Sequence, residues 1–455
     1  MVTHLNVLVV TIRVYCASIC IKQPNTVERV TGCPVLTEGV FDVAESREVR
    51  TRHPIKNLNL LRPLALNQLR YLGWRRGRGE SPCFMAWFQS NFGFKETSYT
   101  QTRAQFQVDN DNNGQITLTS LPNQQTFFVG SFELPSVADL RSRLNPVHDG
   151  DGDAPIQMTF KNIGGNARSL HLDPANQGSV FAVASQFNCL EMVGPGVRPE
   201  DGVTNYARDR TQGPVCAMAC PAATVFRNYF VNGGQHHGNQ LDGASDIALL
   251  CDNNKHKYWD MANGYLLPTR HGAIGEVGER IQHEEGFHEA FISKLRVGIH
   301  WNTETEKNKS GQSHRVCQVF SSACPVAYAN KTCRSSEWAP FATSILEATF
   351  EAVLLAGAII AQQEQRRVQV FLTQVGAGAF GNSTMWVEKA ISRALTLVQH
   401  YPLDIQLVHY GTKPANGSNK FIVLEKKWKQ RGKKKNNTKK NKDSDGDGGG
   451  GETKE

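Results

Sequence analysis

The sequence has no Cys-x-x-Cys pair, and so lacks the tight ligand spacing that a structural zinc site needs. It has no uninterrupted apolar run of about 18 residues, the length that a membrane span requires. Its apolar opening, Leu5 to Ile21, is short and is broken by Arg13. That opening also has no clear basic leader, so no signal peptide is read there. The expectation is a soluble chain with no membrane partner. Charge of one sign is scarce outside the C-terminus. Lys and Arg number 50 against 42 Asp and Glu, for a net charge of +8. Lys426 to Glu455 holds eleven of these cations and five of the carboxylates, so the rest of the chain is near neutral. A near-neutral body argues against a core built to bind nucleic acid. Internal repeats are absent as well.

Eleven cysteines are present, an odd number at scattered spacing in a chain of 455 residues. Such a set does not staple a small secreted fold. Reduced thiols and a cytoplasmic or nuclear location are expected.

Along the chain, residues 1–85 have no clean periodicity, and Trp74–Gly79 is basic and Gly-rich, so a poorly ordered extension is expected. Residues 86–150 read as a small β-rich segment. Gln105–Val108, Ile116–Thr119 and Thr126–Val129 are its strands, and Pro135–Leu144 is a short helix with Ser136 and Asp139 placed as a near capping box. Residues 151–425 read as an α/β domain. Ile156–Phe160, Ser179–Ala184, Val368–Gln374 and Leu403–His409 are strands, while Phe341–Gln363 and Trp386–Gln399 are helices. Within it, residues 222–313 are rich in Gly, Asn and His and read as an insertion, with a helix at Gly286–Leu295. Residues 426–455 read as a disordered Lys-rich tail.

Two loops stand out. Val368–Asn382 is a buried strand running into a glycine loop, with Gly376, Gly378 and Gly381, that opens a helix. Glycines allow close backbone approach, and the freed amides with the helix N-terminus suit an anion. No Lys follows, which excludes the nucleotide P-loop. The second loop, Ser185 to Pro214, follows the buried strand Ser179–Ala184. It carries Asn188, Gly194, Gly196, Gly202, Asp209, Gln212 and Gly213. In a parallel sheet, loops after neighbouring strands face one crevice.

Several other clusters have blander readings. His283 and His288 are five residues apart, which does not place both on one helix face for zinc. His236-His237 reads as a solvated loop pair. Asp109–Gly114 lacks the twelfth-position glutamate of a calcium loop and reads as a hairpin turn, and Asp149–Asp153 reads as a linker. Cys324 has no evident base beside it. No metal and no cofactor is expected.

Ile156–Asn162, Ser179–Asn188, Gly194–Gly213 and above all Phe341–Gly411, with its Gly-Ala-Phe-Gly at 378–381, resemble the macro domain, a family that binds ADP-ribose and often cleaves ADP-ribosyl links. The resemblance implies a three-layer sandwich with a mostly parallel central sheet. It implies that Gly376, Gly378, Ala379, Phe380, Gly381 and Asn382 hold the diphosphate and the distal ribose, with Asn188 on that ribose. It departs from the family in lacking the Gly-Gly-Gly run of the first loop and the Gln-Glu-Glu of the poly(ADP-ribose) glycohydrolase branch; Thr211–Pro214 stands roughly there without carboxylates. Asp209 or Asp201 is then the expected substitute acid. The expected partners are ADP-ribose or an ADP-ribosylated macromolecule, with weak nucleic-acid contact through Lys426–Lys442. Hydrolase and non-catalytic binding module both remain open.

Overall fold

The computed structural model describes residues 86–145, 156–329, 331–415 and 417–431. The expectations for 1–85 and for most of the Lys-rich tail lie outside them.

The described chain opens with helices α1 (Trp87–Phe92) and α2 (Tyr99–Arg103). A meander of β1 (Phe106–Asn110), β2 (Ile116–Ser120) and β3 (Gln125–Glu133) follows. Asp111 forms the β1–β2 turn, its Oδ1 accepting from the amides of Asn113 and Gln115. Helix α3 (Val137–Ser142) starts with the capping box legible in the sequence: Asp139 N–H donates to Ser136 Oγ and Ser136 N–H to Asp139 Oδ2.

Then come β4 (Thr159–Gly165), α4 (Ala167–His171), β5 (Val180–Ser185), α5 (Gln212–Ala219), α6 (Pro221–Tyr229) and α7 (Ser245–Leu250). A separate hairpin of β6 (Trp259–Ala262) and β7 (Tyr265–Pro268) leads to α8 (Ala273–His283), α9 (Phe287–Lys294), β8 (Gly298–Glu304) and β9 (Arg315–Ser322). The chain closes with α10 (Ser335–Glu364), β10 (Val368–Leu372), α11 (Thr384–Leu397), β11 (Leu403–Tyr410) and a last helix, α12, over residues 420–431.

Nine strands form one sheet in the order β1-β2-β3-β8-β9-β5-β10-β11-β4. From β9 to β4 the pairs are parallel; from β9 back to β1 they are antiparallel. Strand β5 explains the three layers. Val180 and Ala182 join the core beneath α10 and α11, while Phe181 and Val183 join clusters on the opposite face beneath α5 and α6. A strand covered on both sides is a continuous apolar run. Helix α10 is long and apolar enough to cross a membrane by composition, yet the apolar part is wholly buried inside the fold as its central helix.

Three expectations change. Residues 86–145 are the antiparallel wing of the central sheet, through β3–β8 pairing. The span 222–313 is not a pure insertion, because it supplies β8. The ordered part runs past residue 425, because α12 extends to Arg431 and buries Phe421, Leu424 and Trp428.

Candidate functional site

The parallel strands β5, β9, β10 and β11 direct their following loops to one edge of the sheet. After β10 the chain turns sharply. Gly376 takes φ +77°, and a Cβ there would stand 2.6 Å from Ala323 Cβ in the loop after β9. Gly381, at φ +73°, lies against Ala327, whose Cβ would stand 3.0 Å from a Cβ there. The turn is latched by Asn382. Its N–H donates to Gly376 O at 2.9 Å, and its Nδ2 donates to Cys324 O at 2.7 Å and to Gly376 O at 3.2 Å. Between the two strained glycines, Gly378 and Ala379 are exposed and a Cβ at Gly378 would meet nothing. The amides of Gly378, Ala379 and Phe380 make no hydrogen bond among the described residues. Helix α11 begins immediately after, capped by Ser383, whose Oγ accepts from Met385 N–H. Three free amides before a helix N-terminus form an anion-accepting surface.

Phe380 is half-buried. Its ring lies 5.4 Å from Tyr265 and 5.6 Å from Tyr328, with those two tyrosines 5.3 Å apart. The three rings come from the β10 loop, the β6–β7 hairpin and the segment after β9. Tyr265 Oη donates to Met192 O at 2.6 Å, so one aromatic side chain joins the two loops singled out in the sequence. The hairpin tip presses further on the second loop. Phe187 N–H donates to Gly264 O, and Asn263 Nδ2 donates to Pro195 O at 2.7 Å. The tyrosines carried no local sequence signal, since Tyr265 lies in the span read as an insertion.

The second loop is more closed than expected. Asn188 is fully buried, its Nδ2 donating to Gln240 Oε1 and its Oδ1 accepting from Leu190 N–H, so the carboxamide is occupied within the protein. Gly194 turns the backbone by accepting from Val197 N–H, and Gly196 is exposed. Gly202, at φ +79°, sits against Glu96, whose carboxylate accepts from the amides of Val203 and Thr204 and from Tyr229 Oη. The N-terminal wing thus pins this loop. Asp201 is exposed and accepts from Arg198 N–H, while Asp209 accepts from Thr211 N–H; both carboxylates serve local turns. Gln212 begins α5, and its Oε1 is buried without a partner. Gly213 packs so closely that a Cβ would stand 2.1 Å from Ala184 O.

Glu191 is the group that the sequence reading passed over. It is buried beside Gly213, its Oε1 lies 3.5 Å from Arg227 Nη2, and its N–H donates to Tyr206 Oη. Burial pushes its carboxyl up to about 7, against the lowering pull of Arg227. Arg227 is also buried, donates from Nε to Cys189 O and covers the Phe320 ring. Under the opposite end of the β10 loop, Gln374 Nε2 meets His409 Nδ1 at 3.0 Å, and His409 Nε2 meets Asn162 Oδ1 at 2.8 Å.

No protein-family model matches the chain, and no curated protein matches it in sequence. Among solved structures, it is similar to a poly(ADP-ribose) glycohydrolase from Thermomonospora curvata at 11% identity and a TM-score of 0.33, over 76% of this chain and 99% of that one. The Thermomonospora curvata structure bound to the inhibitor ADP-HPD gives 12% identity and a TM-score of 0.31, over 76% and 100%. A poly(ADP-ribose) glycohydrolase from Deinococcus radiodurans in complex with ADP-ribose gives 11% identity and a TM-score of 0.31, over 66% of this chain and 94% of that one.

Proposed function

We propose that the chain binds ADP-ribose, free or as a group on a larger molecule, at the Gly376–Asn382 loop, and that it hydrolyses the ADP-ribosyl linkage. The observation that carries the binding reading is the run of free amides at Gly378, Ala379 and Phe380 beside three clustered rings. A diphosphate needs donors without side-chain crowding, which this loop offers, and a sugar or base needs a flat apolar wall. Calorimetric titration of the full chain with ADP-ribose tests it. Heat is expected from the natural chain and none from Gly378→Glu, whose carboxylate would occupy the anion position. Absence of heat from the natural chain overturns the reading.

For the cleavage step, the structural features favour Glu191 as proton donor over Asp201 and Asp209, which are held in turns. Water forms a bond to the anomeric carbon as the bond to the leaving oxygen breaks. The leaving oxygen takes the Glu191 proton, and the proton shed by water restores it. A buried carboxyl that stays protonated near neutral pH suits that role. Glu191→Gln is expected to keep ADP-ribose binding and lose turnover. The second reading, a binding module without chemistry, is favoured by the ion pair of Glu191 with Arg227. It holds if the natural chain binds ADP-ribose yet releases none from modified protein or nucleic acid.

A further inference from the structure

Helix α12 turns two faces to different surroundings. Phe421, Leu424, Glu425 and Trp428 are buried, at the i, i+3, i+4, i+7 spacing of one helical stripe. Lys420, Lys426, Lys427, Lys429 and Arg431 are exposed around the rest of the helix: Lys426 lies opposite the buried stripe, Lys420 and Lys427 to one side, while Lys429 is bonded to Glu425 and the Arg431 guanidinium lies 4.9 Å from the Trp428 ring. The helix thus carries five cations and a single carboxylate, Glu425. That carboxylate is spent inward: it accepts from the backbone and Nδ2 of Asn162 and from Lys413 and Lys429. Lys427 and Arg431 stand one turn apart, a like-charge spacing that works against the helix itself. Lys420, Lys426 and Lys427 make no ion pair among the described residues, so their charge is not used to hold the helix in place, unlike that of Lys429.

The anchorage leads directly to the glycine loop. Glu425 is bonded to Asn162 on β4, Asn162 to His409 on β11, and His409 to Gln374, two residues before Gly376. The carbonyl of Gln374 in turn accepts from Ala377 N–H. A hydrogen-bonded path thus connects the basic helix to the loop proposed to hold a diphosphate.

We propose that the exposed face of α12 is a nucleic-acid-binding surface, and that it holds the phosphates of a strand bearing an ADP-ribosyl group beside the Gly376–Asn382 loop. Only the second half of this rests on the function proposed above. A lipid surface fits less well. A helix lying on a bilayer inserts its apolar face, and here that face is already buried in the fold, leaving Val423 as the exposed large apolar side chain on the helix. Phosphodiesters ask only for cations at intervals, which this face provides. The sequence continues from it with six more lysines between residues 433 and 442.

The test is fluorescence anisotropy of a labelled single strand of about 20 nucleotides, titrated with the full chain between about 50 and 200 mM salt. The variant Lys420→Glu/Lys426→Glu/Lys427→Glu is expected to weaken binding about tenfold or more and to flatten the salt slope by roughly 2 to 3. The corresponding Lys→Gln triple variant, which is gentler on the fold, is expected to move in the same direction. Replacing the lysines of 433–442 by glutamine is expected to leave part of the binding in place. Natural affinity and slope in both triple variants overturn the proposal, as does a natural chain that binds phosphatidylserine vesicles and not the oligonucleotide. An oligonucleotide with a terminal ADP-ribosyl group is expected to bind more tightly than a plain one, and Gly378→Glu to erase that margin. No margin overturns the substrate class. Free ADP-ribose binding is expected to be unchanged in the triple variants; if it is missing in every form, the loop assignment fails while the anisotropy still decides the helix.

Discussion

Asn382 Nδ2 donates to the carbonyl of Cys324 at 2.7 Å, and this contact, with Ala327 N–H donating to Phe380 O at 2.9 Å, fastens the loop after β10 to the segment after β9. The same nitrogen reaches Gly376 O, so the carboxamide closes the turn on both sides. In Asn382→Asp two carbonyl oxygens would face a buried carboxylate in place of a donor. The expected cost is on the order of 2–4 kcal/mol, larger than for Asn382→Ala, because a buried charge facing acceptors is worse than a lost bond. Denaturant unfolding measures it, and ADP-ribose affinity should fall in parallel as the free amides lose their arrangement. An Asp variant as stable as the natural chain would mean that the latch does not shape the loop.

The glycines of that loop are not equivalent. At Gly376 a Cβ meets Ala323 at 2.6 Å on a backbone of φ +77°, whereas at Gly378 it meets nothing. Gly376→Ala is expected to cost about 1–3 kcal/mol and Gly378→Ala close to none. Equal unfolding midpoints for the two would remove the structural distinction on which the Gly378→Glu test relies.

Strands were legible in both halves of the sheet: β1, β2 and β3 lie within a few residues of the runs read at 105–108, 116–119 and 126–129, whereas β4 begins three residues after the run read at Ile156–Phe160. Strand β5 is apolar on both faces, while β10 and β11 send Val368, Val370, Leu372, Leu403, Ile405 and Leu407 into the main core; all three runs appear in the sequence within a residue or two of their observed ends. Strand β9 was not legible. It holds Gln318, Ser321 and Ser322 in buried positions, where Gln318 Nε2 donates to Cys216 O and Ser322 Oγ to Gln186 O. Those tertiary bonds make polar residues tolerable in a central strand, and no local pattern reveals them. The loop glycines were found because their spacing is local. Tyr265 and Tyr328 were not, because they reach Phe380 only through the sheet order. Glu191 stands in the Ser185–Pro214 loop, but its burial beside Arg227 depends on α6 folding back over it.

Glu191 gives the stability a pH signature. Its carboxyl titrates near 7 in the fold against an ordinary 4.5, so the folded state holds a proton that the unfolded chain has released. That favours the fold at low pH. The favour is lost as pH rises from about 4.5 to 7, at on the order of 1 kcal/mol per pH unit where steepest. Glu191→Gln removes this slope. Unfolding free energies of the two chains, compared between pH 4.5 and 7.5, should diverge in favour of Gln as pH rises. Parallel curves would show that Arg227 keeps the carboxylate ionised throughout, and would withdraw Glu191 as a proton donor.

Trp428 decides whether α12 belongs to the fold. It is 4% exposed in the main core cluster with Phe421 and Leu424, and its Nε1 has no hydrogen-bond partner. The indole therefore contributes by packing and by the Arg431 guanidinium 4.9 Å from its ring, without a hydrogen bond. Trp428→Ala should cost about 3–5 kcal/mol and Trp428→Phe distinctly less, since a smaller ring leaves a smaller void and no polar bond is lost. Glu425 supplies an independent check at the same place. Burial opposes its charge, yet Lys429, Asn162 and Lys413 bring the carboxyl down to about 2. Its stabilisation is complete above the ordinary 4.5 and is lost as pH falls toward 2. Glu425→Gln should flatten that acid limb and lower stability at neutral pH, because the lysines lose their counter-charge and one of the two accepting oxygens becomes a donor. If Trp428→Ala and Glu425→Gln both leave the neutral unfolding midpoint in place, α12 is not held on the strand ends. The path from its cations to Gln374 would then be broken.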